Sequence, residues 1–391
     1  MIMSLNCLHL PQNKVCMKIA YFVPQIITSG GIERVLSNKI KYLLDQGYEV
    51  YMILREKSDE QPFFDFDNRI IYYRMDFDFT ARGIKEKFFE REYKQRYLAK
   101  LTQILNEIKP DITISIFDKY SKYLYQINDG SKKIIERHFG KYKRSRQISR
   151  LENFSWGKIF TYWYRKADYD IVKHYDKFVV LTEEDKKLWG DLPNIVVIPN
   201  SVSFIPDQKS TNKEKRIIAV GRSSKQKQLD VLIKIWAKIA HKYPDWTLVT
   251  YGNGNLKPLK SLAKQLGVEE QVINNPPNLD ISTEMIQSSI YALSSKYEGF
   301  GLVLLEAMAC GLPLVAFACK CGPRDIITDG EDGFLIEEGN WNLFAAKLSL
   351  LIENYDLRHK MGQAASHNVL RFTEDIVMNK WIALFDELVN S

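Results

Sequence analysis

Two carboxylates frame a glycine-rich turn within residues 297–313. Glu298 precedes the turn and Glu306 follows it, with seven residues between the two acids. Gly299 and Gly301 permit backbone angles that are closed to other residues, and they allow a ligand to approach the amide groups closely. The pattern therefore places a hydrogen-bond acceptor on either side of a cluster of backbone donors.

The residues after the turn have the apolar composition of a short helix, so the amides of Phe300, Gly301 and Leu302 lie at a helix N-terminus. Such amides and the helix dipole hold a phosphate without a metal ion. A diphosphate here, flanked by acids that accept hydrogen bonds from sugar hydroxyls, describes a nucleotide-sugar site. The alternative is a buried strand-to-helix turn whose glycines only ease packing.

Two cations, Arg222 and Lys227, follow another strand end. An arginine fork and a lysine point charge can together neutralise a diphosphate. Gly31 follows the first strand, at a place where ligands bind in open parallel sheets. Its surroundings do not match GxGxxG, which disfavours a dinucleotide. The alternative for Arg222 and Lys227 is a solvated basic loop, and the alternative for Gly31 is a flexible loop.

Short apolar strands alternate with helical segments in both halves of the chain. We predict strands over Lys18–Val23, Tyr48–Leu54, Asp111–Phe117, Lys133–Glu136, Lys177–Thr182, Arg216–Gly221, Trp246–Tyr251, Tyr291–Ser294, Pro313–Phe317 and Gly333–Ile336. This alternation predicts an α/β fold with parallel sheets covered by helices on both faces. A composition with 45% hydrophobic and 26% charged residues is that of a folded protein.

A chain of 391 residues is long enough for two domains. The polar segment 203–215 predicts a linker between them. We divide the chain into an N-terminal extension (1–16), a first domain (17–200), a second domain (201–372) and a C-terminal helix (373–391). Apolar residues at helical spacing in the last segment, among them Trp381 and Phe385, predict a docked amphipathic helix.

No run approaches the roughly 18 apolar residues that a membrane-spanning helix needs. Residues 1–16 lack the charged start and apolar core of a signal peptide. The five cysteines form no CxxC pair, and we find no Asp-x-Asp motif at a strand end. We therefore expect a cytoplasmic protein with reduced thiols and with neither a metal ion nor another cofactor.

Basic residues concentrate in residues 132–166, which carry eleven Lys and Arg against two Glu in a chain of net charge +7. Aromatic residues, including Trp156 and Trp163, are interleaved with them. This mixture predicts peripheral contact with an anionic membrane and a lipid-diphosphate-linked acceptor. The alternative is that the aromatic residues are core and the cations merely solvated. No nucleic-acid recognition motif is present, so nucleic acid is not an expected partner.

Six motifs occur in the order seen in retaining glycosyltransferases of family 4, which the chain resembles over nearly all of its length from Met17. They are Gly30-Gly31-x-Glu33, Pro199-Asn200-Ser201-Val202, Gly221-Arg222 with Lys227, Gly252-x-Gly254, Glu298-Gly-Phe-Gly-Leu with Glu306, and Asp329-Gly-x-x-Gly333. The resemblance implies the GT-B fold, in which two Rossmann-like domains face a central cleft. The first domain would bind the acceptor and the second the nucleotide-sugar donor, and the C-terminal helix would cross back to the first domain.

The same resemblance implies roles for individual residues. Arg222 and Lys227 would bind the donor diphosphate. Glu306 would bind the ribose hydroxyls, and Glu298 would face the transferred sugar. The remaining implied donor contacts are the amides of Phe300, Gly301 and Leu302, Gly31 from the opposite domain, and Asn275 in the segment 273–278 that resembles the nucleobase region.

His138 ends a strand in a Glu-Arg-His cluster that resembles one in some bacterial members of the family. This likeness places His138 in the cleft near the sugar, and the alternative is a surface histidine beside a basic run. Asp118 is a further cleft candidate, whereas Asp325 is expected to be structural. Two positions depart from the family pattern, because Ser201 and Gln228 replace glycines.

The resemblance implies transfer of a hexose, with retention, from a UDP- or GDP-sugar to a hydroxyl of a glycan or lipid-linked glycan in surface polysaccharide synthesis. No metal ion is expected to take part. Two alternatives remain open: an NDP-sugar 2-epimerase and a non-catalytic nucleotide-sugar-binding protein of the same fold.

Overall fold

The computed structural model describes residues 17–27, 31–56, 62, 64–77, 90–118, 120–141, 166–278 and 280–391. The proposed N-terminal extension, Gly30 and residues 142–165 of the basic segment lie outside these ranges. The predicted membrane contact of residues 132–166 therefore stays a prediction. Among the described residues, no helix is long and apolar enough to cross a membrane.

The first sheet has seven parallel strands in the order β3-β2-β1-β4-β5-β6-β7. Its strands are β1 (Lys18–Val23), β2 (Glu49–Glu56), β3 (Ile71–Phe77), β4 (Ile112–Ile116), β5 (Lys132–Glu136), β6 (Lys177–Val180) and β7 (Ile195–Val197). The central strands are buried along nearly their whole length and are mostly apolar, as expected when helices cover both faces of a parallel sheet.

The second sheet has six parallel strands in the order β10-β9-β8-β11-β12-β13. They are β8 (Arg216–Val220), β9 (Thr247–Tyr251), β10 (Val272–Asn275), β11 (Ile290–Leu293), β12 (Leu314–Phe317) and β13 (Gly333–Ile336). In both sheets the chain starts in the middle, builds outwards on one side and then crosses to the other side.

The helices connect the strands and cover the sheets. With complete bounds they are α1 (Gly31–Asp45), α2 (Glu90–Ile108), α3 (Ser121–Leu124), α4 (Glu183–Trp189), α5 (Leu229–Ala237), α6 (Lys257–Gln265), α7 (Ile281–Ile286), α8 (Leu302–Ala309), α9 (Pro323–Ile326), α10 (Trp341–Glu353), α11 (Tyr355–Asn368) and α12 (Glu374–Val389). Residues 166–172 are also helical.

The C-terminal helix α12 packs on the first sheet although it follows the second in the chain. Its buried apolar side chains, Trp381 and Phe385 among them, share one core with Tyr21 of β1 and Ile40 of α1. The ring of Phe385 meets the ring of Tyr48 edge-on at 6.4 Å between centroids. The second sheet has its own cores, so α12 joins the end of the chain to the N-terminal half.

All ten predicted strands are present, and the structure adds β3, β7 and β10. The predicted linker differs more, because its second half is packed against the C-terminal half. Ser210 and Asn212 are buried, and the Asn212 side chain donates to the carbonyl of Gly311 at 3.0 Å. Polar composition here reflects hydrogen bonds to the C-terminal half rather than a solvated tether.

We expected no metal ion partly because we found no Asp-x-Asp motif at a strand end, and that observation is wrong. Asp76 lies in β3 and Phe77 ends it, so the Asp76-Phe77-Asp78 sequence does stand at a strand end. That strand escaped the sequence analysis. β3 is one of the two edge strands of the sheet, two places from β1, and Asp78 lies outside the described residues. The expectation that the reaction uses no metal ion stays a prediction.

Candidate functional site

The predicted cations and acids follow two neighbouring strands in the middle of the second sheet. Arg222 and Lys227 lie beyond the end of β8, and Glu298 lies beyond the end of β11. The strand order reverses between these two strands. Ligands in open parallel sheets bind in the crevice at the carboxyl ends of such strands. The topology thus brings the predicted residues to the place where a ligand is expected.

Lys227 and Glu298 form an ion pair, with 2.8 Å between Nζ and Oε1. Their side chains are 16% and 7% exposed, so the pair is largely shielded from water. The stem of Lys227 lies on Gly221, where a Cβ atom would be 3.0 Å from both Cγ and Cδ of the lysine. The hydroxyl of Ser294 donates to the carbonyl of Lys227 at 2.9 Å and holds the loop in place.

Gln228 begins α5 in a left-handed conformation, with φ 51° and ψ 42°. This conformation favours glycine because it brings Cβ close to the following carbonyl oxygen. The residue that replaces the usual glycine therefore bears backbone strain directly after Lys227. The departure from the family pattern affects stability rather than charge.

The glycine turn lies against the N-terminal half of the molecule. A Cβ atom on residue 299 would be 2.4 Å from the carbonyl oxygen of His138, so a side chain there would collide with that peptide. Gly301 has φ +100° and caps α8 in the left-handed region. Gly31, at the start of α1, faces the side chain of Leu302 at 3.4 Å from where its Cβ would be. The structure thus brings these predicted residues together.

Glu306 in α8 is 6% exposed, and burial raises the pKa of its carboxyl. The guanidinium of Arg34 opposes that rise from 3.4 Å, measured between Nη1 and Oε1. Arg34 belongs to the first turn of α1, where the helix dipole disfavours a cation. Sequence reasoning missed this residue, although a cation in that turn, three residues after Gly31, was a usable signal.

Arg222 is exposed and has no carboxylate partner among the residues that the structure describes. The backbone carbonyl of Asn275, at the end of β10, accepts a hydrogen bond from the amide of Gly252 at 3.2 Å. Gly252 in turn lies so close to Gly221 that a Cβ atom would meet its carbonyl oxygen at 1.9 Å. Asn275, Gly252 and Gly221 therefore follow one another along the same edge of the sheet.

His138 follows β5 in the N-terminal half of the molecule, and its ring contacts the carboxylate of Glu136. Its Nε2 atom is 3.2 Å from Oε2 of Glu136, and both side chains are buried. Burial alone would raise the pKa of Glu136, but Lys39 and His138 outweigh it and hold the pKa at about 2. His138 is therefore not an incidental surface residue.

Two further candidates have structural contacts. Asp118 forms an ion pair with Arg55 and accepts hydrogen bonds from the amides of Tyr120 and Ser121. These contacts bind it to β2 and to the start of α3. Asp325 accepts a hydrogen bond from the amide of Glu183 at 2.7 Å, and so joins α9 to α4 across the two halves.

In the described parts of the chain, no group of three or more His, Cys, Asp or Glu side chains is arranged to hold a metal ion. Cys310, Cys319 and Cys321 are buried free thiols. Burial raises the pKa of each thiol, which disfavours the reactive thiolate. The site can instead bind an anion with two cations and a helix end, and can hold hydroxyls with two carboxylates.

Residues 203–368 match the family described as glycosyl transferases group 1. An uncharacterized glycosyltransferase of Haemophilus influenzae is 36% identical over 350 residues, covering 88% of this chain and 93% of that protein. The amylovoran biosynthesis glycosyltransferase AmsD of Erwinia amylovora is 28% identical over 376 residues, covering 93% and 98%.

A solved mutant of Staphylococcus aureus TarM, in complex with fondaparinux, alpha-GlcNAc-glycerol and UDP, superposes with a TM-score of 0.72 at 17% identity, covering 94% of this chain and 99% of that one. The likeness confirms the expected GT-B fold of two Rossmann-like domains with parallel sheets. Its low identity supports the fold alone, whereas the Haemophilus relative carries the family assignment. On this evidence the chain belongs to the glycosyl transferases group 1.

Proposed function

We propose that the protein transfers a hexose from a UDP- or GDP-sugar to a hydroxyl of a glycan or lipid-linked glycan, with retention at the anomeric carbon, in surface polysaccharide synthesis. The observation that carries the proposal is the Lys227–Glu298 ion pair beside the glycine-capped start of α8. The relative named for amylovoran biosynthesis supports the pathway class.

The donor diphosphate would lie on the start of α8, within reach of Arg222 and Lys227. A lysine ammonium has three hydrogens, so Lys227 can keep Glu298 and still donate to a phosphate oxygen. Arg222 is exposed and can turn towards the same group. Because negative charge grows on the diphosphate as the sugar leaves, these donors stabilise the transition state more than the bound substrate.

The two acids would bind the hydroxyls of the donor. Glu306 would accept from the ribose, and Arg34 helps it to remain charged in its buried position. Glu298, fixed by Lys227, would accept from the transferred sugar. Asn275 stands three strands from Glu298 along the same sheet edge, which suits a nucleobase at the far end of the donor.

We assign no covalent nucleophile. No acidic side chain has to protonate the leaving group, because a diphosphate is already a good leaving group. The acceptor hydroxyl would attack from the side of the leaving group, and the departing diphosphate would take its proton. His138 would contact a sugar hydroxyl from the N-terminal domain. The proposal uses no metal ion.

Product analysis tests this function. The purified protein is incubated with UDP- and GDP-hexoses and with lipid-diphosphate-linked glycan acceptors, and the products are separated and their anomeric configuration is read by NMR. The proposal predicts a new glycosidic bond with the configuration of the donor. A free sugar nucleotide with a changed sugar would indicate a 2-epimerase, and nucleotide binding without turnover would indicate a non-catalytic binding protein.

A further inference from the structure

A continuous chain of buried contacts runs from the C-terminal helix to the candidate site. The ring centroid of Trp381 lies 3.7 Å from Nζ of Lys39. Lys39 donates a hydrogen bond to Oε1 of Glu136, and Nε2 of His138 lies 3.2 Å from Oε2 of the same carboxylate. The side chains of Lys39, Glu136 and His138 are each no more than 6% exposed. Water therefore screens little of this network.

Each charge in the network depends on its neighbours. A buried carboxylate or ammonium is costly unless it is paired, and the loss of one partner leaves the other uncompensated. Burial lowers the pKa of the Lys39 ammonium, while Glu136 favours its charged form. The face of the Trp381 ring adds a cation–π contact to the same ammonium group. The ring of Tyr21, 5.2 Å away, lines the same pocket.

The network also sets the hydrogen positions on His138. An ionised carboxylate only accepts hydrogen bonds, so the ring atom that faces Glu136, Nε2, carries the hydrogen. In the neutral ring Nδ1 is then an acceptor. That atom is buried and has no hydrogen-bond partner among the described residues. The peptide of His138 lies against Gly299, which follows Glu298 in the chain, so His138 belongs to the same wall of the crevice as Glu298.

We propose that Lys39 and Trp381 are positioning residues for the transfer reaction: they keep Glu136 charged, and Glu136 holds His138 with Nδ1 ready to accept a hydrogen bond from a sugar hydroxyl. The inference rests on the proposed function. In this proposal α12 contributes to the function of the N-terminal domain, since its residue Trp381 supplies the aromatic face above Lys39. Removing that face weakens the charge that fixes His138.

Four variants test the positioning chain. Lys39→Met removes the charge, Trp381→Leu removes the aromatic face, and Trp381→Phe retains one. Phe385→Leu is the control for loss of aromatic packing in the same helix, because the buried Phe385 ring packs on Tyr48 and on Trp381, whereas the ring that lies over Lys39 from this helix is that of Trp381. Each variant is examined by nitrogen-15 NMR of the histidine rings, with the His138 signals assigned by their loss in His138→Asn. The kcat and the donor KM are measured in parallel.

In the wild type, the proposal predicts a His138 ring with hydrogen on Nε2 and none on Nδ1. Lys39→Met and Trp381→Leu should change those signals and lower kcat about tenfold, the value of one good hydrogen bond, with the donor KM unchanged. Trp381→Phe and Phe385→Leu should keep both the signals and kcat.

A wild-type ring with hydrogen on Nδ1 alone, or equal kcat values in Trp381→Leu and Phe385→Leu, would overturn the inference. If Lys39→Met does not fold, the comparison of Trp381→Leu with Phe385→Leu tests the inference. A wild-type protein that transfers no sugar contradicts the proposed function instead, and the ring signals then still show whether Lys39 and Trp381 fix the hydrogen on His138.

Discussion

The ammonium of Lys227 lies 2.8 Å from the carboxylate of Glu298, so the two residues neutralise each other across the crevice between β8 and β11. The pair is formed by two loops that are 71 residues apart in sequence. It fixes the position of the acid that would face the sugar and of the cation that would face the diphosphate. The site is therefore organised before a donor enters.

Lys227→Met should lower the free energy of unfolding by about 2 kcal/mol, because it leaves Glu298 buried and charged without its partner. Partial exposure of Lys227 keeps the loss below that of a fully buried pair. The measurement is chemical denaturation, with Lys225→Met, an exposed lysine of the same loop, as control. The double variant Lys227→Met with Glu298→Gln should recover stability but not activity. A single variant as stable as the control would contradict the prediction.

Arg222→Ala should weaken binding of the nucleoside diphosphate by roughly 2 kcal/mol, the value of a charge-assisted hydrogen bond. Its unfolding free energy should not change, since Arg222 is exposed and has no carboxylate partner among the described residues. Calorimetric titration of both proteins measures the difference, with Lys225→Ala as control. Equal affinities in wild type and Arg222→Ala would refute the assignment of Arg222 to the phosphates.

Gln228→Gly should raise the free energy of unfolding by about 0.5–1 kcal/mol. Relief of the left-handed strain is worth about 1–2 kcal/mol, and the greater freedom of glycine in the unfolded chain cancels part of it. Chemical denaturation of the wild type and of Gln228→Gly measures the difference in the free energy of unfolding. A control at Lys225, changed to Gly, should bring no gain. A loss of stability at position 228 would mean that the Gln side chain makes a contact worth more than the strain.

Arg34→Met should weaken nucleoside diphosphate binding by about 1 kcal/mol, because Glu306 then loses the cation that favours its charged form. The decisive measurement is a double-mutant cycle with Glu306→Gln. Once Glu306 is neutral, removing Arg34 should cost much less than it does in the wild type. Additive effects would show that Arg34 acts on the ligand independently of Glu306.

Glu306 should make the folded state less stable as the pH rises. Burial raises the pKa of its carboxyl above the ordinary value of 4.5, so the folded chain holds this proton more tightly than the unfolded chain does. Stability is therefore lost as the pH rises from about 4.5 through the raised value. Glu306→Gln removes this loss while it removes a ligand for the ribose.

Thermal unfolding from about pH 4 to about pH 8 tests this prediction. The melting temperature of Glu306→Gln, relative to wild type, should increase with pH over the window that begins near 4.5. An equal difference at every pH would show that Glu306 has the same pKa in the folded and unfolded chains. Nucleotide affinity should fall in the variant at neutral pH.

Much of the fold could be predicted because the strands of a buried parallel sheet are apolar runs with helices between them. The three missed strands lack that signal. β3 is an edge strand with an Arg and an Asp among its seven residues, β7 has only three residues, and β10 contains two asparagines. Edge and short strands are stabilised by pairing with a neighbour, which a local pattern does not reveal.

The candidate site, like the fold, could be predicted only where the signal is a local sequence pattern. Glycine turns, cations and acids at strand ends could be found in the sequence because each is a local pattern. The pairing of Arg34 with Glu306 spans 272 residues, and the approach of Gly299 to His138 joins the two domains. The contact of Trp381 with Lys39 likewise depends on where α12 docks. Such partners follow from tertiary packing, and no local spacing encodes them.

Calorimetric titration of the wild-type protein and of Arg222→Ala and Lys227→Met with UDP, GDP and ADP probes the nucleotide-sugar site itself. We expect UDP or GDP to bind the wild type, and both variants to bind the same nucleotide at least tenfold more weakly, because each has lost a charge-assisted contact. A wild type that binds none of the three, or variants that bind as tightly as the wild type, would contradict the nucleotide-sugar site.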